Sequence, residues 1–287
     1  MILVSGAAGK TGLAVVGVLV AKGEAVRALV RRKEQLHRLR EMGAREVVVA
    51  DLRDPAAMAP AATGVRAIYH VCPNVNPDEV AIGQVIITAA RQAGVGLFVF
   101  HSVLHPQTEA MPHHWQKLLV EQALIDSGLP FVILQPASYM QNVLAEWDQI
   151  VSRGIYRIPY SAGTRLGMVD LEDIAAAAAV VLTERGHEGA TYELAGPEVL
   201  NQDDVARILG EALGRQVTPE VISPEAWEHQ ARAAGLGDYQ VKTLLAMFRY
   251  YAWGGFWGNP RVLGWLLGRP PTTFAQFAQR VSRGQRR

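Results

Sequence analysis

The chain has 287 residues, 49% of them hydrophobic and 19% charged, with a formal net charge of +1 and one cysteine, Cys72. That length carries a substantial core without disulfide or metal staples. The near-zero charge offers no field toward nucleic acid or a membrane surface, and the single thiol excludes an internal disulfide framework. The first half alternates short β-branched runs with stretches of helical spacing. Strands are predicted over residues 2–5, 25–30, 46–50, 67–72, 97–101 and 131–135, with helices over 13–21, 34–42, 80–93 and 115–126. Strict alternation calls for a parallel sheet covered by helices on both faces. The run Val47-Val48-Val49, apolar on both sides of the pleat, reads as a central strand. Asp54-Pro55 is a further helix start.

Beyond residue 136 the pattern turns helical. Asp170 is expected to cap a helix through 175–182, with Asp173 supporting its N-terminus; Asn201 caps one through 205–213 that Gly214 ends; Ser223-Pro224 opens another. Residues 239–268 are rich in Trp, Tyr and Phe, and the last eight residues, RVSRGQRR, read as a solvated tail. Apolar runs are broken by Gly, Lys or Arg before they reach a membrane span, and Met1 has no basic preface of a signal peptide after it. A cytoplasmic protein is expected, with no membrane or nucleic-acid partner.

Between the first strand and the first helix lies Gly6-Ala7-Ala8-Gly9-Lys10-Thr11-Gly12. Gly6 frees the turn, Gly9 lets the backbone approach a pyrophosphate at the helix N-terminus, and Gly12 permits the helix to pack closely on the sheet. The spacing is G-x-x-G-x-x-G, which points to a dinucleotide and says nothing of chemistry. The second strand ends in Arg31-Arg32-Lys33, with no acid until Glu34. An acid there would accept from the ribose hydroxyl of NAD(H), whereas a guanidinium suits a 2′-phosphate, so NADP(H) is preferred over NAD(H) with Arg31 leading and Arg32 assisting. Asp51-Leu52 after the third strand either borders the adenine or caps a turn.

These residues resemble the NmrA-like branch of the atypical short-chain dehydrogenase/reductases. The likeness covers nearly the whole chain: GAAGKTG, ALVRR, VADLRD, HSVLHP, HHWQKLLVEQALIDSGLPFVILQPASYMQN, VDLEDIAAAAAVVL, GATYELAGPEVLNQDDVARIL and PPTTFAQF occur in that order. The resemblance implies a Rossmann-type doubly wound parallel sheet with a smaller, mostly helical C-terminal substrate region. The NADP(H)-binding core spans 1–135, and residues 136–287 form the substrate region, with those around 165–195 returning to the core. It also implies that Ala8, Val71, Pro73, Ser102, Pro136 and Tyr139 join the glycine loop in holding the cofactor. The family holds quinone and azo-type reductases beside redox-sensing regulators.

One departure from the wider superfamily matters, because the sugar epimerases and ordinary short-chain reductases that this chain resembles early on carry Tyr-x-x-x-Lys on the helix after the fifth strand. No tyrosine here has a lysine four residues later; His113-His114-Trp115-Gln116-Lys117 keeps the lysine and puts His113 where tyrosine would stand. The resemblance leaves Lys117 as the polar group near the nicotinamide ribose, and Lys117 and His113 are the candidate catalytic residues. Lys117 shares a helical stripe with His113, Val120 and Leu124, opposite Trp115, Leu118, Leu119 and Gln122; the alternative is a surface pair with Glu121. His101 and His105 are four apart but lack a metal-binding helix pattern, and no metal is expected. Cys72 reads as a buried thiol. Tyr139, Met140 and Asn142 are the candidate substrate residues, although packing is favoured for Met140 and Trp147. The expected function is NADPH-dependent reduction of a small apolar acceptor of quinone type. The alternative is a non-catalytic NADP(H) sensor that regulates a protein partner. The aromatic cluster from Phe248 to Trp257 either roofs a pocket or forms a homodimer contact.

Overall fold

The computed structural model describes residues 1–284. In chain order the first elements are β1 (Ile2–Val4), α1 (Lys10–Ala21), β2 (Val26–Val30), α2 (Leu36–Glu41), β3 (Glu46–Val49) and α3 (Pro55–Ala62). They are followed by β4 (Ala67–His70), α4 (Glu79–Gln92), β5 (Leu97–His101), α5 (Pro112–Asp126) and β6 (Phe131–Pro136). The remainder is α6 (Trp147–Arg153), β7 (Ile155–Ile158), α7 (Leu171–Thr183), β8 (Ala190–Leu194), α8 (Gln202–Leu213), β9 (Thr218–Val221), α9 (Pro224–Ala233), α10 (Asp238–Gly254), α11 (Arg261–Leu267) and α12 (Phe274–Gly284).

A seven-stranded sheet runs β3-β2-β1-β4-β5-β6-β8, and β1 to β6 pair in parallel. The winding reverses between β1 and β4, which opens a crevice at their carboxyl ends. Every residue of β1 and β4 is buried, as expected of strands with neighbours on both sides and helices on both faces. The reading of Val47-Val48-Val49 as a central strand is corrected: β3 is the sheet edge, and Val49 is 39% exposed. An apolar run does not distinguish a central strand from an edge that a helix covers.

By contact density the chain divides into two compact units. One comprises Met1–Glu109, His113–Gln135 and Ile174–Tyr192; the other Ala110–Pro112, Pro136–Asp173 and the residues from Glu193 onward. The second unit carries a two-stranded parallel sheet, β7 with β9, which the helical reading of this region omitted. The caps at Asp54, Asn201 and Ser223 each accept from a first-turn amide, and Gly214 ends α8 with φ +68°. Asp170 also accepts from Glu172 N, at 3.1 Å. Asp173 takes a different role: it accepts from Arg269 and from Thr272 N, both at 2.6 Å. The solvated-tail reading is likewise corrected for its first part, because Arg280 lies within α12 and bonds buried Asp170 at 2.6 Å. The last three residues of that run lie outside the described residues. No described helix is long and apolar enough to cross a membrane.

Candidate functional site

The glycine loop sits on the reversal point of the sheet. Ser5 N donates to Tyr69 O of β4 and Ala7 N to Leu29 O of β2, so the turn is fixed to both neighbours of β1. Gly6 has φ +57°, and a Cβ there would stand 2.6 Å from Val71 O; only glycine fits. At Gly12 a Cβ would stand 2.3 Å from Gly6 O and 2.6 Å from Ala7 Cα. Its close approach is thus to the turn itself rather than to the sheet. Gly9 differs from both: its φ is −77°, and a Cβ would meet only Gly6 O, at 3.3 Å. No side chain caps α1 at Gly9, so the helix N-terminus presents bare backbone where an anion is favoured. Lys10 is exposed, Thr11 buried, and Ala8 half-buried beside them.

Arg31 and Arg32 are exposed at the end of β2, and neither makes a salt bridge among the described residues. Asp51 is engaged by Arg53, whose Nη2 lies 2.7 Å from Oδ2, and hydrogen bonds from the Arg53 side chain and amide hold its carboxyl down to about 2. Of the two readings offered for Asp51, its hydrogen bonds are those of a turn cap, with Arg53 N donating at 3.0 Å. Leu52 is buried, and Pro73 is exposed on the loop after β4.

Lys117 lies on α5 with its side chain largely covered. Its Nζ is 2.8 Å from Glu79 Oε1 and 3.5 Å from His101 O, and sits 5.4 Å from the centroid of the Phe100 ring. The contact is set by helix packing: a Cβ on Gly83 would stand 2.7 Å from Val120 Cγ1, so α4 and α5 approach closely at that point. Glu79 lies one turn before Gly83 and Lys117 one turn before Val120, which brings the two charges together. The alternative pairing of Lys117 with Glu121 is not formed. Glu121 is buried, accepts from Ser102 Oγ and from Gln135 Nε2, and burial raises its pKa. The hydroxyl of Ser102 is therefore directed into the core.

Sequence reading missed Glu79, because an acid in the first turn of a helix is ordinarily solvated. It also missed a set of imidazoles, three buried (His70, His101 and His114) and one half-buried (His113). His70 accepts or donates at Ser5 Oγ, 2.8 Å away, and His101 at Tyr69 Oη, 2.5 Å away. His113 and His114 stack edge to face at 4.5 Å. Burial, and after it the Lys117 ammonium, holds His70 and His101 down to about 3 and His113 to about 4; burial and His113 hold His114 to about 3. All four are neutral at pH 7. On α5, His113 Nδ1 and Gln116 Oε1 are buried without a hydrogen-bond partner, one turn and one residue from Lys117. Cys72 is buried and its thiol pushed up by burial and Glu79. No cluster of ligating side chains able to hold a metal occurs among the described residues.

The imidazoles make acid stability a measurable consequence. In the unfolded chain each binds a proton near pH 6.5; in the folded chain each resists it down to pH 3–4. The unfolded state therefore takes up more protons across that window, and stability falls as pH is lowered through it, by about 1.4 kcal/mol per pH unit for each histidine. Glu121 acts with the opposite sign, one group against four. The urea midpoint is expected to drop between pH 6.5 and 5, above the range in which ordinary carboxylates titrate; an unchanged midpoint would contradict the buried neutral set.

In the second unit, Tyr139 bridges to Val169, and Met140 N donates to Val169 O at 2.9 Å. Met140 and Trp147 are buried, which commits both to packing. Asn142 is exposed and donates to Ser138 Oγ at 3.2 Å. Pro136 ends β6 and is buried.

A doubly wound sheet with a glycine turn leading to an uncapped helix N-terminus at its reversal point defines the Rossmann-type nucleotide-binding class. Within that class, the chain belongs to the NmrA-like family, whose model matches residues 1–256. An NAD(P)H azoreductase of Xenophilus azovorans is 35% identical over 97% of each chain. Quinone oxidoreductase 2 of Escherichia coli (strain K12) is 30% identical over 96% of each. The crystal structure of an NADPH-dependent quinone oxidoreductase from Escherichia coli, complexed with NADPH, matches at a TM-score of 0.85 and 29% identity, covering 98% of this chain and 99% of that one.

Proposed function

We propose that the protein is an NADPH-dependent oxidoreductase that reduces a planar apolar acceptor of quinone type. The observation that carries this reading is the polar stretch of α5, where the unpartnered His113 Nδ1 and Gln116 Oε1 precede Lys117 by one turn and by one residue. Buried polar atoms without partners are costly, so such a stretch is built to be completed by a ligand. The whole-length similarity to reductases acting with NAD(P)H supports the class of ligand.

The glycine loop fits a dinucleotide, because only Gly9 is open in front and the first-turn amides are uncapped. These amides bind the pyrophosphate, with Lys10 and Thr11 beside it, while Leu52 and Pro73 border the nucleotide. When bound, NADPH supplies the hydride. Two of the three ammonium donors of Lys117 go to Glu79 and His101 O, which leaves one for a ribose hydroxyl or a developing oxyanion. His113, being neutral, is a hydrogen-bond donor or acceptor rather than a cation. The test is a single-turnover titration of a quinone into NADPH-loaded protein without oxygen. Loss of NADPH matched by hydroquinone is expected; unchanged NADPH would contradict the reading.

Preference for NADP(H) is assigned to Arg31, which is exposed and without a salt bridge, whereas the neighbouring Asp51 is held by Arg53. A charge-assisted hydrogen bond contributes about 1.5–3 kcal/mol, or roughly 10- to 150-fold in affinity. Arg31→Ala is expected to weaken NADPH by that factor and leave NADH nearly unchanged, with Arg32 moderating the loss. Equal weakening of both cofactors would remove Arg31 from the 2′-phosphate.

A further inference from the structure

A cavity of roughly 370 Å³ opens on the second unit, lined among others by Thr164, Arg165, Tyr251, Trp253 and Trp257. Its walls are laced by backbone hydrogen bonds: Phe256 N donates to Arg165 O at 3.0 Å and Gly167 N to Phe256 O at 2.8 Å. Two glycines make room for Trp257. A Cβ on Gly167 would stand 2.8 Å from Trp257 Cβ, and one on Gly255, where φ is +68°, would stand 2.5 Å from the indole ring. Yet Trp257 remains 44% exposed and Trp253 85%. Indoles seated by their neighbours but left open to water present a flat apolar surface to something else.

The polar groups of the cavity are also incomplete. Thr164 is 6% exposed, and its Oγ1 is buried with no hydrogen-bond partner. The Arg165 guanidinium forms no ion pair among the described residues, and no carboxylate lines the cavity.

We propose that this cavity binds a planar aromatic anion, its ring on the indoles of Trp257 and Trp253 and its sulfonate or carboxylate on Arg165. A guanidinium fork matches such an anion, and a flat indole matches a flat ring. The binding is independent of hydride transfer, so its failure and that of the reductase reading are separately visible.

The test uses the whole chain without cofactor and a probe that cannot be reduced, naphthalene-2-sulfonate, followed by calorimetry beside neutral 2-methylnaphthalene. Arg165→Ala is expected to weaken the sulfonate about tenfold or more while leaving the neutral probe unchanged. Trp257→Leu weakens both probes. Absence of sulfonate binding up to millimolar concentration, or equal affinity in wild type and Arg165→Ala, overturns the proposal. So does a wild type that takes up no sulfonate and loses molecular mass in light scattering on Trp257→Leu, since the cavity would then seat a second copy of the chain.

Discussion

Replacing Gly9 by valine is expected to abolish NADPH binding while leaving the protein folded. The backbone at Gly9 is extended, with φ −77° and ψ 167°, which a β-branched residue adopts without strain. A Cβ there meets only Gly6 O, at 3.3 Å, a tight contact that a shift of a few tenths of an ångström relieves. What the side chain would fill is the space in front of the α1 N-terminus. With two or more charge-assisted hydrogen bonds to the phosphates displaced, affinity should fall at least about 100-fold. Gly12 supplies the contrast, since a side chain at 2.3 Å from Gly6 O and 2.6 Å from Ala7 Cα must break the turn. Gly12→Val should lower the urea midpoint strongly; Gly9→Val should lower it far less. Unchanged NADPH titration by folded Gly9→Val would remove the cofactor from this loop.

Loss of Lys117 is expected to depress quinone-dependent turnover by about 10²–10⁴-fold, with NADPH affinity weakened far less. The ammonium matters most as negative charge develops on the acceptor, so its effect falls on kcat rather than on cofactor binding. Its pairing with Glu79 complicates the simple truncation. Lys117→Ala strands a buried carboxylate, a change that costs about 3–5 kcal/mol of stability. The double variant Lys117→Met/Glu79→Gln removes both charges together and is expected to retain the fold but not the activity. Equal kcat in that variant and wild type would contradict the role given to Lys117.

How much of this was legible in the sequence follows the range of the interactions. Six of the seven strands of the main sheet were read from β-branched runs, and the glycine turn from its spacing and place; β8, beyond the regular alternation, was not. The caps at Asp54, Asn201 and Ser223 were read because a cap is local. The edge position of β3 was not, since strand order is a tertiary fact. The β7–β9 pair escaped notice because both strands are short, and Pro219 interrupts the second. Within the site, Glu121 looked like the partner of Lys117 at one helical turn, whereas Glu79 lies 38 residues away and reaches it only because Gly83 admits Val120. The burial of His114 and partial burial of His113 ran against the usual solvation of a helix start. Arg280 belonged to a basic tail by composition and to Asp170 by packing.

The central claim, that this chain transfers hydride rather than only binding its donor, is tested most directly by following NADPH absorbance with purified wild type across a panel of quinones in the absence of oxygen. The account predicts decay that requires both protein and quinone, proportional to protein concentration and continuing through many turnovers. If no quinone is reduced faster than in buffer while NADPH still binds, the protein is a cofactor-binding chain without this chemistry, and the oxidoreductase reading fails.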